Sequence, residues 1–204
     1  MGDSARYLAV KDPVLAELIH RHGPPPARRP APSDRRFASL AEIIVFQQLA
    51  GRAAATIHGR LVGALGGTVT PETVLEASDE LLASCGLSRA KAASIRDLAD
   101  HVADGRIAFE RIGRLSDDEV VAHLTQVRGI GPWTAQMFLL GTLGRLDVWP
   151  TGDYGVRAGF GRAWGLPTTP SAQELTDLGE PFRPYRSVVA WYCWRVVDDR
   201  PDSD

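Results

Sequence analysis

Residues 124–135 constrain the fold of this chain more than any other stretch. The segment reads Leu-Thr-Gln-Val-Arg-Gly-Ile-Gly-Pro-Trp-Thr-Ala, so an apolar helix end meets two glycines, and a proline then opens a new helix. Gly129 and Gly131 allow positive φ and the close approach of another backbone. The second helix offers free N–H groups and the positive end of its dipole. The segment therefore predicts either a hairpin that binds an anion such as a DNA phosphate, or a plain helix–helix turn with a glycine cap.

The rest of the chain predicts helices throughout. Capping residues, prolines in first turns and the spacing of apolar side chains set these predictions. No segment alternates with a period of two for long enough to indicate a strand, so we expect an all-α fold. The predicted helices cover residues 12–22, a stretch from about 37, and 53–65, 71–83, 89–103, 117–127, 132–143, 153–164, a stretch from 171, and 184–197.

Composition places the chain among globular proteins. Hydrophobic residues make up 44% and charged residues 24% of its 204 residues, and no stretch approaches the apolar length of a membrane span. Two cysteines exclude a disulfide scaffold and a four-cysteine metal site. The net charge of −2 argues weakly against nucleic acid, although the placement of charge matters more than its sum. We expect an unsecreted, cytoplasmic protein.

Two helical lobes with a cleft between them are expected. Residues 37–145 form one lobe, which includes the hairpin, and residues 1–36 with 146–204 form the other. The densest basic run is read as a solvated linker, with contact to DNA as the alternative; it consists of Arg28, Arg29, Arg35 and Arg36. The acidic end, residues 198–204, is expected to fray.

The hairpin and the loop behind it resemble the helix-hairpin-helix (HhH-GPD) superfamily of DNA glycosylases. That loop, residues 147–154, reads Asp-Val-Trp-Pro-Thr-Gly-Asp-Tyr, and Asp153 follows Gly131 by 22 residues, a spacing similar to that of the family. Residues 46–49, 86–92 and 184–187 resemble further family segments. Residues 184–187, together with Trp191 and Trp194, resemble the C-terminal helix of the branch that removes alkylated bases, the 3-methyladenine DNA glycosylase II group. The resemblance covers about residues 12–197.

The resemblance implies that Asp153 is the catalytic aspartate. A carboxylate beside the anomeric carbon stabilises the positive charge that develops when an N-glycosidic bond breaks. The alternative is that Asp153 only caps a helix, and the two roles are compatible. Family members that also cut the strand carry a lysine where this chain has Trp133. We therefore predict a monofunctional enzyme that uses water and leaves an abasic site.

Further roles follow from the same resemblance. Leu49 is the candidate wedge that fills the gap left by an extruded base, and Gln48 would meet the orphaned partner base. The bacterial prototype of this branch has aromatic residues at the positions that Met137 and Arg195 occupy in this chain. We interpret Arg195 as facing DNA phosphate. The base pocket is predicted to contain Trp133, Met137, Tyr154 and Trp194. The remaining predicted DNA contacts are Arg128, Gly129, Ile130, Gly131 and Thr134.

No cofactor is expected to be required. A structural Na⁺ or K⁺ is expected at the hairpin, on the backbone carbonyls of Thr125, Val127 and Gly129. The expected partner is double-stranded DNA that contains damaged bases; we expect a monomer, no membrane association, and a place at the nucleoid when the protein is bound to DNA. The predicted function is release of alkylated purines, chiefly 3-methyladenine. A non-catalytic DNA-binding protein and a glycosylase for uncharged, deaminated or oxidised bases are the alternatives.

Overall fold

The structure of the protein is a computed structural model that describes residues 3–27 and 29–199. Every regular element in those residues is helical, which confirms the predicted all-α fold. A 3₁₀ helix at Glu180–Phe182 precedes the last α-helix. The α-helices are α1 (Asp3–Lys11), α2 (Pro13–His22), α3 (Ser33–Phe46), α4 (Gly51–Ala64), α5 (Pro71–Glu76), α6 (Asp79–Ser84), α7 (Arg89–Ala103), α8 (Phe109–Ile112), α9 (Asp117–Leu124), α10 (Pro132–Gly141), α11 (Tyr154–Ala163), α12 (Ala172–Gly179) and α13 (Arg186–Asp198).

Side-chain caps explain why several helices begin where the sequence predicts. Asp12 caps α2 by accepting a hydrogen bond from the N–H of Leu15 at 3.0 Å. Ser88 caps α7, and Ser116 forms a capping box with Glu119 at the start of α9. Each oxygen satisfies one of the N–H groups that a first helical turn leaves without a partner.

The single helix predicted over residues 71–83 is wrong. Ser78 ends it by capping a second helix, since its hydroxyl accepts a hydrogen bond from the N–H of Leu81 at 3.2 Å. Apolar spacing placed four leucine and valine side chains on one buried face, but the break turns two of them outward. Val74 and Leu82 are buried, whereas Leu75 and Leu81 are exposed.

Other boundaries also differ from the predictions. Helix α9 ends at Leu124 and α10 at Gly141, earlier than predicted, and α13 begins at Arg186 after a cis Arg183–Pro184 bond. The predictions do not include α1 and α8. None of the helices in the described ranges is long and apolar enough to cross a bilayer.

The described residues divide into two compact units. One takes the chain up to Arg28 and from Arg145 onward, and its core is rich in aromatic side chains, including Phe160 stacked on Trp164. The other spans residues 29–144, whereas the predicted lobe begins at residue 37. The earlier start has a local cause, because the N–H of Ala31 donates to the carbonyl of Thr142 at 2.7 Å.

The basic run does not behave as a solvated linker throughout. Arg36 donates from Nε to the carbonyl of Ala31 at 3.0 Å and from Nη1 to the carbonyl of Phe109, so it serves the packing of its own unit. Arg35 is exposed. Arg28 of this run and residues 200–204 of the acidic end lie outside the described residues.

Candidate active site

The loop between α9 and α10 is anchored from within by apolar side chains. Val127 and Ile130 are buried, and the N–H of Ile130 donates to the carbonyl of Val127 at 3.1 Å. Asp97 of α7 adds a polar anchor, since its Oδ2 accepts a hydrogen bond from the N–H of Arg128 at 2.7 Å. Arg128 and Gly129 remain exposed at the tip. The segment is therefore a helix-hairpin-helix with an apolar interior and an exposed tip.

The two glycines of the hairpin have different reasons to be glycine. Gly129 has a φ of +76°, and a Cβ there would collide with Oγ of Ser94. Gly131 caps α10 in extended backbone, with φ −97°, so it does not use the positive φ that glycine allows. A Cβ at Gly131 would have no atom within 4 Å. Internal packing therefore demands Gly129 but leaves open space beside Gly131.

Two of the predicted DNA contacts have buried side chains. Ile130 is 4% and Thr134 is 3% exposed. The hydroxyl of Thr134 accepts a hydrogen bond from Nε2 of Gln47 at 2.8 Å, and the same nitrogen donates to the carbonyl of Gly129 at 3.1 Å. If Ile130 and Thr134 contact DNA as predicted, their burial favours their backbone groups over their side chains for that role.

The predicted wedge lies directly after α3. Gln48 and Leu49 are exposed, Leu49 by 40%, and Gln48 adopts a φ of +54°. Gln47, the preceding residue, reaches the hairpin with its side chain. The structure thus brings the wedge candidates and the hairpin into one unit.

Asp153 stands at the N-terminus of α11. Its Oδ1 accepts two hydrogen bonds, from the N–H of Val156 at 2.8 Å and from Nε1 of Trp194 at 3.0 Å. The side chain is half-buried. Asp153 is therefore a helix cap and an oriented carboxylate at once.

The loop that leads to Asp153 is clamped by charge. Arg186, 9% exposed, holds Asp147 with two parallel hydrogen bonds, Nε to Oδ1 at 2.8 Å and Nη2 to Oδ2 at 3.0 Å. Such a bidentate pair fixes direction as well as distance. Arg183 adds a contact to Asp147 Oδ2 at 2.6 Å, and the hydroxyl of Ser187 accepts from the N–H of Val148 at 2.9 Å.

Glycines let α11 and α13 come close together at Asp153. A Cβ at Gly159 would collide with the backbone of Cys193. A Cβ at Gly155 would lie 3.0 Å from Cδ1 of Trp194 and 3.1 Å from Oδ1 of Asp153. This close packing brings the indole N–H of Trp194 within hydrogen-bonding distance of the carboxylate.

The predicted base-pocket residues divide between the two units. Trp133 and Met137 lie four residues apart on α10, which places them on one face, and both are half-buried. Trp194 touches Asp153, whereas Tyr154 is 65% exposed and lies under the guanidinium of Arg157, 5.7 Å from the ring centroid.

Arg195 has partners on its own helix. It pairs with Asp198 at 2.6 Å and lies 5.5 Å from the ring centroid of Trp191. The cluster is exposed on its charged side, since the side chain of Arg195 is 44% accessible.

A family model described as HhH-GPD superfamily base excision DNA repair protein matches residues 41–184. The chain belongs to this superfamily. The match includes the hairpin and Asp153, so both lie within the region that defines HhH-GPD proteins.

Relatives of this HhH-GPD chain carry related names. DNA-3-methyladenine glycosylase 1 of Schizosaccharomyces pombe is 32% identical over 89% of this chain and 80% of that protein. The solved structure of a 3-methyladenine DNA glycosylase from Schizosaccharomyces pombe in complex with abasic DNA superposes with a TM-score of 0.89, at 29% identity, and covers all of both chains. A DNA-3-methyladenine glycosidase from Bacillus halodurans gives a TM-score of 0.82 at 32% identity and covers 97% of this chain and 90% of that one.

Sequence reasoning missed two contacts that organise the hairpin. Gln47 and Lys91 lie in residues 46–49 and 86–92, two segments whose resemblance to the family assigned them no contact of their own. In the structure, Nζ of Lys91 donates to the carbonyls of Val45 and Gln47 at 2.6 and 2.8 Å. The scarcity of lysine was the available signal, because 21 of the 23 basic residues are arginine. A lysine within a motif of such a chain is a candidate for a specific contact.

Proposed function

We propose that this HhH-GPD protein is a monofunctional DNA glycosylase that hydrolyses the N-glycosidic bond of alkylated purines, chiefly 3-methyladenine. The observation that carries the proposal is the carboxylate of Asp153, held on Oδ1 by Val156 and Trp194 in a half-buried setting. The names of its relatives support the same substrate class.

Asp153 supplies the electrostatic part of the reaction. As the bond between C1′ and the base nitrogen lengthens, positive charge grows on the sugar, and the carboxylate stabilises it. The bonding electron pair leaves with the base and neutralises the charge of an N-alkylated purine. A water oxygen then bonds to C1′, and its proton passes to Asp153 or to solvent. The products are the free base and an abasic site.

The hairpin positions the DNA backbone without reading its sequence. The open space beside Gly131 supports the close approach of a phosphate to the start of α10. Arg128, exposed at the tip, adds a positive charge there. Because these groups contact only phosphate, lesion choice must come from the base pocket.

The target base must leave the stack to reach a carboxylate, which costs a few kcal/mol. Leu49 would fill the gap, with Gln48 against the partner base. Alkylation at N3 or N7 makes a purine cationic, and aromatic faces such as Trp133 and Trp194 attract cations by about 0.5–2 kcal/mol. The same charge makes the base a good leaving group, so the enzyme needs no strong acid.

No lysine is predicted to attack the sugar. Trp133 occupies the position of the lysine that forms a Schiff base in the bifunctional members, and Nζ of Lys91 donates to two backbone carbonyls. Borohydride should therefore trap no enzyme–DNA adduct, and strand breaks should form only after alkali treatment. A trapped adduct would contradict the monofunctional mechanism.

A monovalent cation at the hairpin is part of the proposal. Val127 and Gly129 each already accept one hydrogen bond on the carbonyl, from Ile130 and Gln47. Each oxygen keeps a second lone pair, so these carbonyls and that of Thr125 fit Na⁺ or K⁺. Such an ion would bridge the hairpin backbone to a phosphate. The monomeric state, the location in the cytoplasm at the nucleoid and the damaged duplex as partner likewise stay predictions.

A lesion panel tests the substrate class. Release of 3-methyladenine, 7-methylguanine, hypoxanthine and uracil from matched duplexes is measured with excess enzyme. We expect 3-methyladenine to be released fastest and the uncharged bases slowest. Preferred release of hypoxanthine or uracil would replace the proposal by a glycosylase for uncharged bases. Binding without release of any base would indicate a non-catalytic DNA-binding protein.

A further inference from the structure

The segment that carries the wedge candidates is held in an uncommon conformation. Helix α3 ends at Phe46, and Gln48 adopts a φ of +54°. Residues other than glycine rarely adopt a positive φ. Helix α4, which follows, begins at an N-cap, Ala50, that makes no side-chain capping bond. Such backbone persists only where its surroundings hold it. The support must therefore come from other elements.

Lys91 of α7 supplies the first support. Its Nζ donates to the carbonyls of Val45 and Gln47 at 2.6 and 2.8 Å, which belong to the end of α3. Carbonyls at a helix end have no partner within the helix, and a positive charge there complements the helix dipole. The last turn of α3 has no basic residue of its own. Burial lowers the pKa of Lys91.

Gln47 supplies the second support, because both its backbone carbonyl and its side-chain amide form hydrogen bonds. Its carbonyl accepts from Lys91, and its Nε2 donates to the carbonyl of Gly129 and to the hydroxyl of Thr134 at 3.1 and 2.8 Å. The residue directly before Gln48 is thus fixed to α7 by its backbone and to the hairpin by its side chain.

The geometry points to Lys91 and Gln47 as positioning residues that hold Gln48 and Leu49 at a fixed place relative to the hairpin. This inference rests on the proposed function and assigns separate roles in it to the hairpin and to the Lys91–Gln47 pair, which we call the Lys91–Gln47 brace. The hairpin binds the DNA backbone, and the Lys91–Gln47 brace sets where the wedge enters the duplex. Neither brace residue needs to touch DNA or the reacting atoms.

The test measures insertion of the wedge into a duplex and does not depend on catalysis. A duplex carries a tetrahydrofuran abasic-site analogue opposite 2-aminopurine, and the fluorescence rise per bound complex is measured at saturating protein. Lys91→Met and Gln47→Met remove the brace with little change in side-chain volume. Lys11→Met and Gln173→Met are matched controls at exposed positions of the other unit. Thermal unfolding followed by circular dichroism verifies that each variant is folded.

We expect the rise to fall by about threefold or more in both brace variants and to stay unchanged in the controls. In a Leu49→Ala background, Lys91→Met should reduce it no further, because residues that act through one another are not additive. A merely structural lysine would lower the unfolding temperature and leave the rise per complex intact.

A rise equal to that of the wild type in both brace variants would overturn the inference, and so would a further loss in the Leu49→Ala background. A wild type that binds the duplex without any rise would overturn it as well. Base release from the same wild-type preparation is measured separately, so the proposed function stands if only the brace fails. A wild type that neither binds nor releases a base would overturn the proposed function and this inference with it.

Discussion

The hairpin loop of residues 125–131 and the loop of residues 147–153 both end at the start of a helix, but different contacts hold them. Buried Val127 and Ile130, hydrogen bonds from Gln47 and one from the N–H of Arg128 to Asp97 fix the hairpin. A bidentate ion pair, Asp147 with Arg186, fixes the loop. The first arrangement presents backbone, and the second aims one carboxylate. Damage to the hairpin should therefore weaken DNA binding, whereas damage to the loop should slow the chemistry.

The largest expected change in the free energy of unfolding belongs to Arg186→Met. Removing the buried Arg186 leaves Asp147 with only its contact to the exposed Arg183, which costs about 3 kcal/mol. Base release should fall as well, because the loop that leads to Asp153 loses its clamp. Urea unfolding and single-turnover release measure the two effects.

Arg183→Met is the matched control for that clamp. Arg183 contacts the same carboxylate, but its side chain is 51% exposed. Exposed ion pairs contribute little, so this variant should unfold near the wild type. Equal losses in the two variants would show that burial does not decide the strength of the clamp.

Substitutions at Gly129 and Gly131 should distinguish an effect on protein stability from an effect on DNA binding. Gly129→Ala should destabilise the protein by about 2 kcal/mol, because positive φ is unfavourable for alanine and Ser94 is in the way. Gly131→Ala should cost less than about 1 kcal/mol, as expected for a poorer helix cap with open space beside it. Fluorescence anisotropy should nevertheless show weaker DNA binding for Gly131→Ala. Unaltered affinity would exclude close approach of a phosphate at this glycine.

A small change in stability is also expected for Trp194→Phe. It removes one N–H bond to Asp153, worth about 1 kcal/mol, and keeps an aromatic face. Release should slow by about fivefold, since 1.4 kcal/mol corresponds to a factor of ten. Trp191→Phe on the same helix is the control and should release bases at the wild-type rate. Similar rates for both variants would remove Trp194 from the orientation of the carboxylate.

Local signals made much of the fold predictable. The starts of three helices were predictable from their capping residues, Asp12, Ser88 and Ser116. A cap accepts a hydrogen bond from a residue only three positions later, so the signal is local. Apolar spacing was less reliable, because it continued across the break at Ser78 and joined α5 to α6.

The candidate site was predictable as a set of residues but not as a set of contacts. The hairpin and Asp153 carry a local motif, whereas the bond from Trp194 to Asp153 joins positions 41 residues apart. Lys91 and Gln47 are 44 residues apart, and only the packing of α7 against the end of α3 brings them together. Periodicity and caps describe neighbours in sequence, so contacts of this kind need the tertiary structure.

Asp153→Asn tests the central claim most directly. The amide oxygen still accepts from Val156 and Trp194, so helix and loop keep their shape while the negative charge is lost. With enzyme in excess on a duplex containing 3-methyladenine, release should slow by about a thousandfold. Binding to the same duplex should change by less than about threefold. Release within tenfold of the wild-type rate would contradict the account.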